Sequence, residues 1–212
     1  MIDYYERRAA HYDAVYERPE RQPDLRRLAT LIPAALAGRR VPELAAGTGY
    51  WTVPIAATAA SVHATDANPA PLAIARGRDY PRRNVTFAQA DAYRPDCVPG
   101  DYDAAFAGFW WSHIPGSRVD EFLAAVCHRL PAGAVVVFTD NRYVEGSSTP
   151  IAGTTTAGDT YQLRTLPDGS THEVLKNFPT PSALRSAVSP YATDVSITEL
   201  GHFWLLTFRT RA

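Results

Sequence analysis

Val41-Pro-Glu-Leu-Ala-Ala-Gly-Thr-Gly-Tyr-Trp-Thr52 decides how this chain reads. It predicts a short buried strand that breaks into a glycine turn and opens a helix. Gly47 and Gly49 free the backbone for a tight bend and let main-chain amides come close to a ligand. The helix that follows aims its N-terminal amides at the same spot, which favours a polar or anionic group there. Glu43 stands where the strand ends and can face into that crevice. A dinucleotide-binding turn would need a third glycine three residues after the second. That position is Thr52, which disfavours a pyrophosphate loop.

Outward from this turn, strands and helices alternate, which predicts a parallel sheet with helices on both faces. Ser61–Asp66 reads as the second strand, and its terminal Asp66 trails Gly49 by one βα unit. A carboxylate at that point can accept both ribose hydroxyls of a nucleoside; the competing role is to cap a helix starting near Pro69. Asn84–Ala90 reads as the third strand and delivers Asp91 and Ala92 to the same edge. There an acid can accept an adenine amino group while the Ala92 amide donates to a ring nitrogen. Asp101–Phe109 reads as the fourth strand and runs into Trp110, Trp111 and His113. Ser117-x-x-Asp120 has the form of a capping box for a helix reaching Leu130. The apolar run Ala134–Thr139 predicts a fifth strand buried on both faces.

Beyond it, residues 146–160 are rich in Gly, Ser and Thr and read as a mobile loop. Tyr161–Leu166 and Thr171–Lys176 flank Pro-Asp-Gly-Ser, a hairpin signal. After a short helix near 181–188, Val195–Leu200 and Phe203–Phe208 are joined so tightly that they must run antiparallel. Before the turn, residues 2–17 carry an aromatic stripe at helical spacing that includes Tyr4, Tyr5, Tyr12 and Tyr16. A second helix then carries Leu25, Leu28, Leu31 and Ile32, and Pro33 must end or kink it. At 212 residues and a formal charge of -1, the chain reads as one domain with no general affinity for nucleic acid. Cys97 and Cys127 show neither metal nor disulfide spacing and read as buried, reduced thiols. No leader and no membrane span is visible, so a cytoplasmic protein is expected.

Glu-x-x-x-Gly-x-Gly in the turn, Asp66 after strand two, Asp91 after strand three and the closing hairpin form an ordered set. That set resembles the class I S-adenosylmethionine (SAM)-dependent methyltransferases over essentially the whole chain. The closest likeness is to the small-molecule branch that includes ubiquinone/menaquinone-type enzymes. The resemblance implies a doubly wound α/β fold, with a mostly parallel seven-stranded sheet and an antiparallel C-terminal hairpin. It implies SAM as cofactor, with Glu43, Gly47, Thr48 and Gly49 at the methionine portion, Asp66 and Ala67 at the ribose, and Asp91 and Ala92 at the adenine. Tyr5 and Tyr12 fall in the segment where such enzymes carry a lid over the cofactor. Residues 1–38 then form a helical lid and 146–180 a substrate cover within one domain, 1–212. Two departures stand out: Pro42 lies inside a central strand, and Ala46 replaces the cysteine or aspartate often found before the first glycine.

The expected reaction is methyl transfer to an oxygen or nitrogen of a small, aromatic metabolite, by a monomer or homodimer with no metal, nucleic acid or membrane partner. His113 is the candidate general base, or else a residue that only positions substrate. Phe109 is expected at the cofactor, and Trp110, Trp111 and Asn141 at the substrate; core packing claims at least one of the three aromatics, since successive side chains on a strand point opposite ways. The other histidines, His11, His63, His128, His172 and His202, show no ligand spacing. Asp140-Asn141 after strand five matches part of a catechol-type magnesium site, but the Asp such a site needs after strand four is absent. A nicotinamide dehydrogenase is opposed by Thr52 and by the C-terminal hairpin. A SAM-binding protein with another reaction, or none, stays open.

Overall fold

A computed structural model describes residues 2–212, without the side chains of Ile2, Asp3, Ala10 and His11. His11, expected to be structural, therefore lies outside the described side chains. The chain begins with helix α1 (Ile2–Arg8), which tightens into a 3-10 stretch, Ala9–Tyr16, where one continuous helix was expected. Helix α2 (Gln22–Ala35) follows; Pro33 sits in its last turn, where it cannot donate to the Ala29 carbonyl, and the helix ends two residues later. The parallel strands are β1 (Arg40–Leu44), β2 (Ser61–Asp66), β3 (Val85–Gln89), β4 (Ala104–Gly108) and β5 (Val135–Asn141). Between them run α3 (Thr52–Thr58), α4 (Pro69–Arg76) and α5 (Val119–His128). Short strands β6 (Gly153–Thr154), β7 (Thr160–Thr165) and β8 (Thr171–Leu175) make a separate antiparallel sheet. Helix α6 (Pro181–Val188) leads to β9 (Ala192–Glu199) and β10 (Phe203–Thr210).

The main sheet has the order β3-β2-β1-β4-β5-β10-β9, parallel except where β10 pairs antiparallel with both neighbours. The order reverses between β1 and β4, so their carboxyl ends splay and open a crevice there. Side chains alternate across the sheet and build two cores. Val135 and Val137 pack with α2 and α3 through Leu28, Ile32 and Ile55. Val136 and Phe138 pack on the opposite face with Phe122, Leu123 and Leu184. Each fully buried aliphatic or aromatic side chain of this kind contributes about 1.5–3 kcal/mol. Pro42 is accommodated because β4 pairs with β1 only at Glu43 and Leu44, beyond the proline.

Several local expectations are corrected. The capping box does not form: a 3-10 turn at Gly116–Arg118 moves the helix start to Val119, and no side chain caps it. Arg118 instead pairs with Glu121 at 2.8 Å. Asp66 does not cap α4 either; Asn68 holds the capping position, and Asp66 accepts its N–H. Cys97 is exposed, and only Cys127 is buried. At the start of the Gly/Ser/Thr-rich stretch, Ser147 accepts from Arg18 and Arg21 and its hydroxyl donates to Glu20.

The small sheet lies over the carboxyl edge of the main one. Tyr4 of α1 packs on Leu166 and Val174, and the Asn177 amide donates to the Ser112 carbonyl at 2.8 Å. The N-terminal segment is held down on the glycine turn by Asp13, which accepts from the Thr48 hydroxyl at 2.5 Å and pairs with Arg78.

Candidate active site

The turn after β1 uses left-handed backbone at Ala45 (φ 52°), Gly47 (φ 57°) and Gly49 (φ 77°). Ala45 was not foreseen there, and such strain in a residue with a Cβ collects at functional sites. The two glycines do different work. A Cβ on Gly47 would meet no protein atom within 4 Å, and Gly47 lines the crevice beside it. A Cβ on Gly49 would stand 2.8 Å from the Tyr80 hydroxyl and 2.9 Å from the Ala75 Cβ. Gly49 therefore lets α4 approach the turn and is not on the crevice wall.

That crevice is a cavity of about 620 Å³. Gly47, Thr48, Asp66, Ala67, Asp91 and Ala92 all line it, as the sequence anticipated. Asp66 accepts from the Gly47 amide and the Asn68 amide, each at 2.9 Å, which fixes its carboxylate against the turn. Burial raises its pKa, and the same two amides oppose the shift. Each carboxylate oxygen keeps a further lone pair for a ligand hydroxyl. Two residues that line it carry orphaned polar atoms: the Asn68 Oδ1 acceptor and the Trp110 Nε1 donor are buried without partners. A nucleoside with hydroxyl donors and ring-nitrogen acceptors suits both. Arg118 stacks its guanidinium 3.6 Å from the centre of the Tyr93 ring at the rim. Asn68, Gln89, Tyr93 and Arg118 were not anticipated, because nothing in their local sequence marks them.

Glu43 is placed differently from the expectation. It is buried and off the cavity wall, and one carboxyl oxygen has no partner. Desolvation, with a lesser push from Asp66, raises its pKa from 4.5 to about 8. The free protein then holds a proton that the unfolded chain loses, so stability falls as pH rises from 4.5 through about 8. Glu43→Gln is expected to flatten that decline, read as denaturation midpoints against pH. Superimposable profiles for the two proteins would refute the assignment.

A second cavity of about 400 Å³ adjoins the first. Tyr5, Tyr12, Phe109 and His113 line both, so the two spaces meet at these side chains. Phe109 takes φ 60°, a strained value for a residue with a side chain, held by its amide donating to the Thr139 carbonyl at 2.7 Å. Asn141 lines the second cavity as expected. Trp110 lines the first cavity instead of the second. Trp111 lines neither: it is buried against Phe138 and Trp204, since the chain turns into a 3-10 helix at Trp111–His113 and points it inward.

His113 sits at the junction with a defined tautomer. Its Nδ1 is 2.7 Å from the Leu175 carbonyl oxygen, which can only accept, so Nδ1 carries the proton. Nε2 then accepts from the Tyr5 hydroxyl at 2.8 Å. Burial, then the nearby Lys176 ammonium, push the His113 pKa well below 6.5, so the ring is neutral at pH 7. Burial likewise raises the Tyr5 phenol, which stays protonated.

Beneath the junction lies a buried ion pair, Lys176 Nζ to Asp140 Oδ1 at 3.1 Å. The Asp140 carboxylate also accepts from the Ser112 and Asn141 amides, and Lys176 donates to the Ser112 hydroxyl. Burial is the largest single influence and opposes the Asp140 charge, but Lys176, His113 and the Ser112 and Asn141 amides together outweigh it and hold the carboxyl below its ordinary range. Burial lowers Lys176 to about 8, which still leaves it charged at pH 7. An ammonium thus occupies the place where a catechol-type site would need a metal against Asp140. Of the remaining histidines with described side chains, none lines either cavity.

The comparisons agree with this architecture. Residues 41–133 match the family model described as "Methyltransferase domain". The ubiquinone biosynthesis O-methyltransferase of Pseudomonas aeruginosa is 31% identical over 159 residues, 71% of this chain. The chain spans only 62% of that relative's length. The solved DhpI–SAH complex superposes with a TM-score of 0.78 at 30% identity, covering 99% of this chain and 95% of the other. A DhpI–SAM–HEP complex matches with a TM-score of 0.77 at 30% identity, covering 98% and 94%. With the crevice at the switch point, Asp66 on the turn and these relatives, the chain belongs to the class I SAM-dependent methyltransferases, with SAM as their common cofactor.

Proposed function

We propose that the protein transfers the methyl group of SAM to a heteroatom, an oxygen or nitrogen, of a small metabolite bound in the second cavity. The observation that carries this reading is the junction: two cavities share Tyr5, Tyr12, Phe109 and His113, so a donor in one can face an acceptor in the other. In this assignment Gly47 and Thr48 flank the methionine portion, Asp66 and Asn68 receive the ribose, and Asp91, Ala92 and Trp110 hold the adenine. SAM, when bound, supplies a methyl already activated on a sulfonium. The protein's contribution is alignment and exclusion of water, which together can supply about 7–11 kcal/mol of the barrier. His113 positions the Tyr5 hydroxyl, because its Nε2 lone pair is already engaged.

An aromatic acceptor no longer follows from Trp110 and Trp111, which stand outside the second cavity. The relative DhpI has been solved in a complex with SAM and HEP. Residues 1–38 and 146–180 act as the cover. No helix among the described residues is long and apolar enough to cross a membrane.

Calorimetry is expected to show SAM and S-adenosylhomocysteine (SAH) binding. A screen of phenols, heteroaromatic nitrogens and anionic metabolites should yield SAH together with a methylated product. Binding of SAM with no methylated product from any class would favour a SAM-binding protein with another reaction. Absence of SAM binding would sink both readings.

A further inference from the structure

The second cavity is strongly basic. Arg8, Arg18, Arg21, Arg164 and Lys176 line it, and no aspartate or glutamate does. For a small neutral acceptor this wall would be a liability, since desolvated cations without counter-charge are costly.

The nearby carboxylates are already committed. Asp140 is held by Lys176, and Glu20 lies 4.0 Å from Arg18 and accepts from Ser147. Arg8, Arg21 and Arg164 form no salt bridge among the described residues. Arg8 rests over the Tyr4 and Tyr12 rings. Arg21 reaches only neutral acceptors, Asn141 and Ser147, and its Nε is buried without a partner. Arg164 donates to the Gln162 side chain at 2.8 Å, and its Nε is likewise buried and unpartnered. Two guanidinium groups with orphaned donors on one cavity wall ask for an acceptor with several oxygens and negative charge.

The junction points the same way. A base that removed a proton from a neutral acceptor would have to be His113, whose lone pair is taken by Tyr5. Protonating it would bury an imidazolium beside Lys176 and Arg164, and burial with these two cations outweighs the Asp140 carboxylate that favours the charge. An acceptor that arrives ionised needs no base.

Resting on the methyltransferase reading above, we propose that the acceptor is a small oxyanion, a carboxylate or a phosphoryl group, held by Arg21 and Arg164, and that its own anionic oxygen receives the methyl. An oxygen lone pair forms the new O–C bond as the methyl–sulfur bond breaks, and that electron pair stays on sulfur. The negative oxygen and the positive sulfonium become a neutral ester oxygen and a neutral thioether. No proton moves.

The test is calorimetry on the full chain saturated with SAH, using a short alkylphosphonate, an alkyl carboxylate of equal length and the matching uncharged amide. At least one anion is expected to bind and the amide not; which anion binds identifies the oxyanion. Arg164→Gln and Arg21→Gln should each weaken that anion about 10-fold or more while SAH affinity holds, and Arg21→Lys should recover part of the loss. Unchanged SAH affinity certifies that the variants fold, and the two variants stand independently. The proposal is overturned if neither anion outbinds the amide, or if both glutamine variants bind the anion like the parent. With an active acceptor in hand, mass spectrometry should find the methyl on the oxyanion. A methyl on another atom overturns the base-free step while leaving the methyltransferase reading standing. Failure of SAH itself to bind would instead strike that underlying reading.

Discussion

Lys176→Met is expected to destabilise the protein by about 3–5 kcal/mol, because it strands a charged carboxylate in the interior. Asp140 is fully buried and Lys176 nearly so, and the pair closes at 3.1 Å. The ammonium also donates to the Ser112 hydroxyl, so its removal empties two hydrogen bonds at once. Two amides would still stabilise the Asp140 anion, which keeps the loss from being larger. The double variant Lys176→Met with Asp140→Asn should recover much of the stability, since it leaves no buried charge. Urea denaturation of the parent, both single variants and the double variant closes a cycle. If Lys176→Met unfolds at the parent's midpoint, the pair contributes nothing and its place in the core needs another explanation.

Asp66→Ala should weaken SAH binding by about 1–3 kcal/mol, roughly 5- to 150-fold. Two losses combine. The ligand's hydroxyls lose charge-assisted acceptors, and the Gly47 and Asn68 amides lose the oxygens that now hold them. The second loss loosens the turn itself, so Asp66→Asn should fall between parent and alanine: it keeps one acceptor but sets an amide against a backbone donor. Calorimetry reads the affinity, and far-ultraviolet circular dichroism verifies the fold. An alanine variant that binds SAH like the parent would remove Asp66 from the cofactor site.

The sequence by itself determined the scaffold and much of the lining of the first cavity. Strand–helix alternation, a glycine turn and acids one βα unit apart are local signals, and parallel strands carry them to one edge of the sheet. That is why Gly47, Asp66, Asp91 and Ala92 converge on one cavity as expected. Local reading could not assign the direction of each side chain. Trp110 and Trp111 are adjacent in sequence, yet the 3-10 turn after β4 sends one to the cofactor cavity and the other into the core. Gly49 permits the approach of α4 and does not line the first cavity, which only the packing of Ala75 and Tyr80 reveals.

The second, basic cavity was decided by tertiary structure alone. Its cations come from the N-terminal segment and from β7 and the end of β8, separated by more than a hundred residues of chain. An isolated arginine in sequence is ordinarily a solvated surface charge. Burial is what changes its meaning, because a desolvated guanidinium without a carboxylate demands a ligand, and burial is a property of the assembled fold. The role of His113 turned on the same fact: the partners of its two ring nitrogens, Leu175 and Tyr5, lie 62 residues after it and 108 before it.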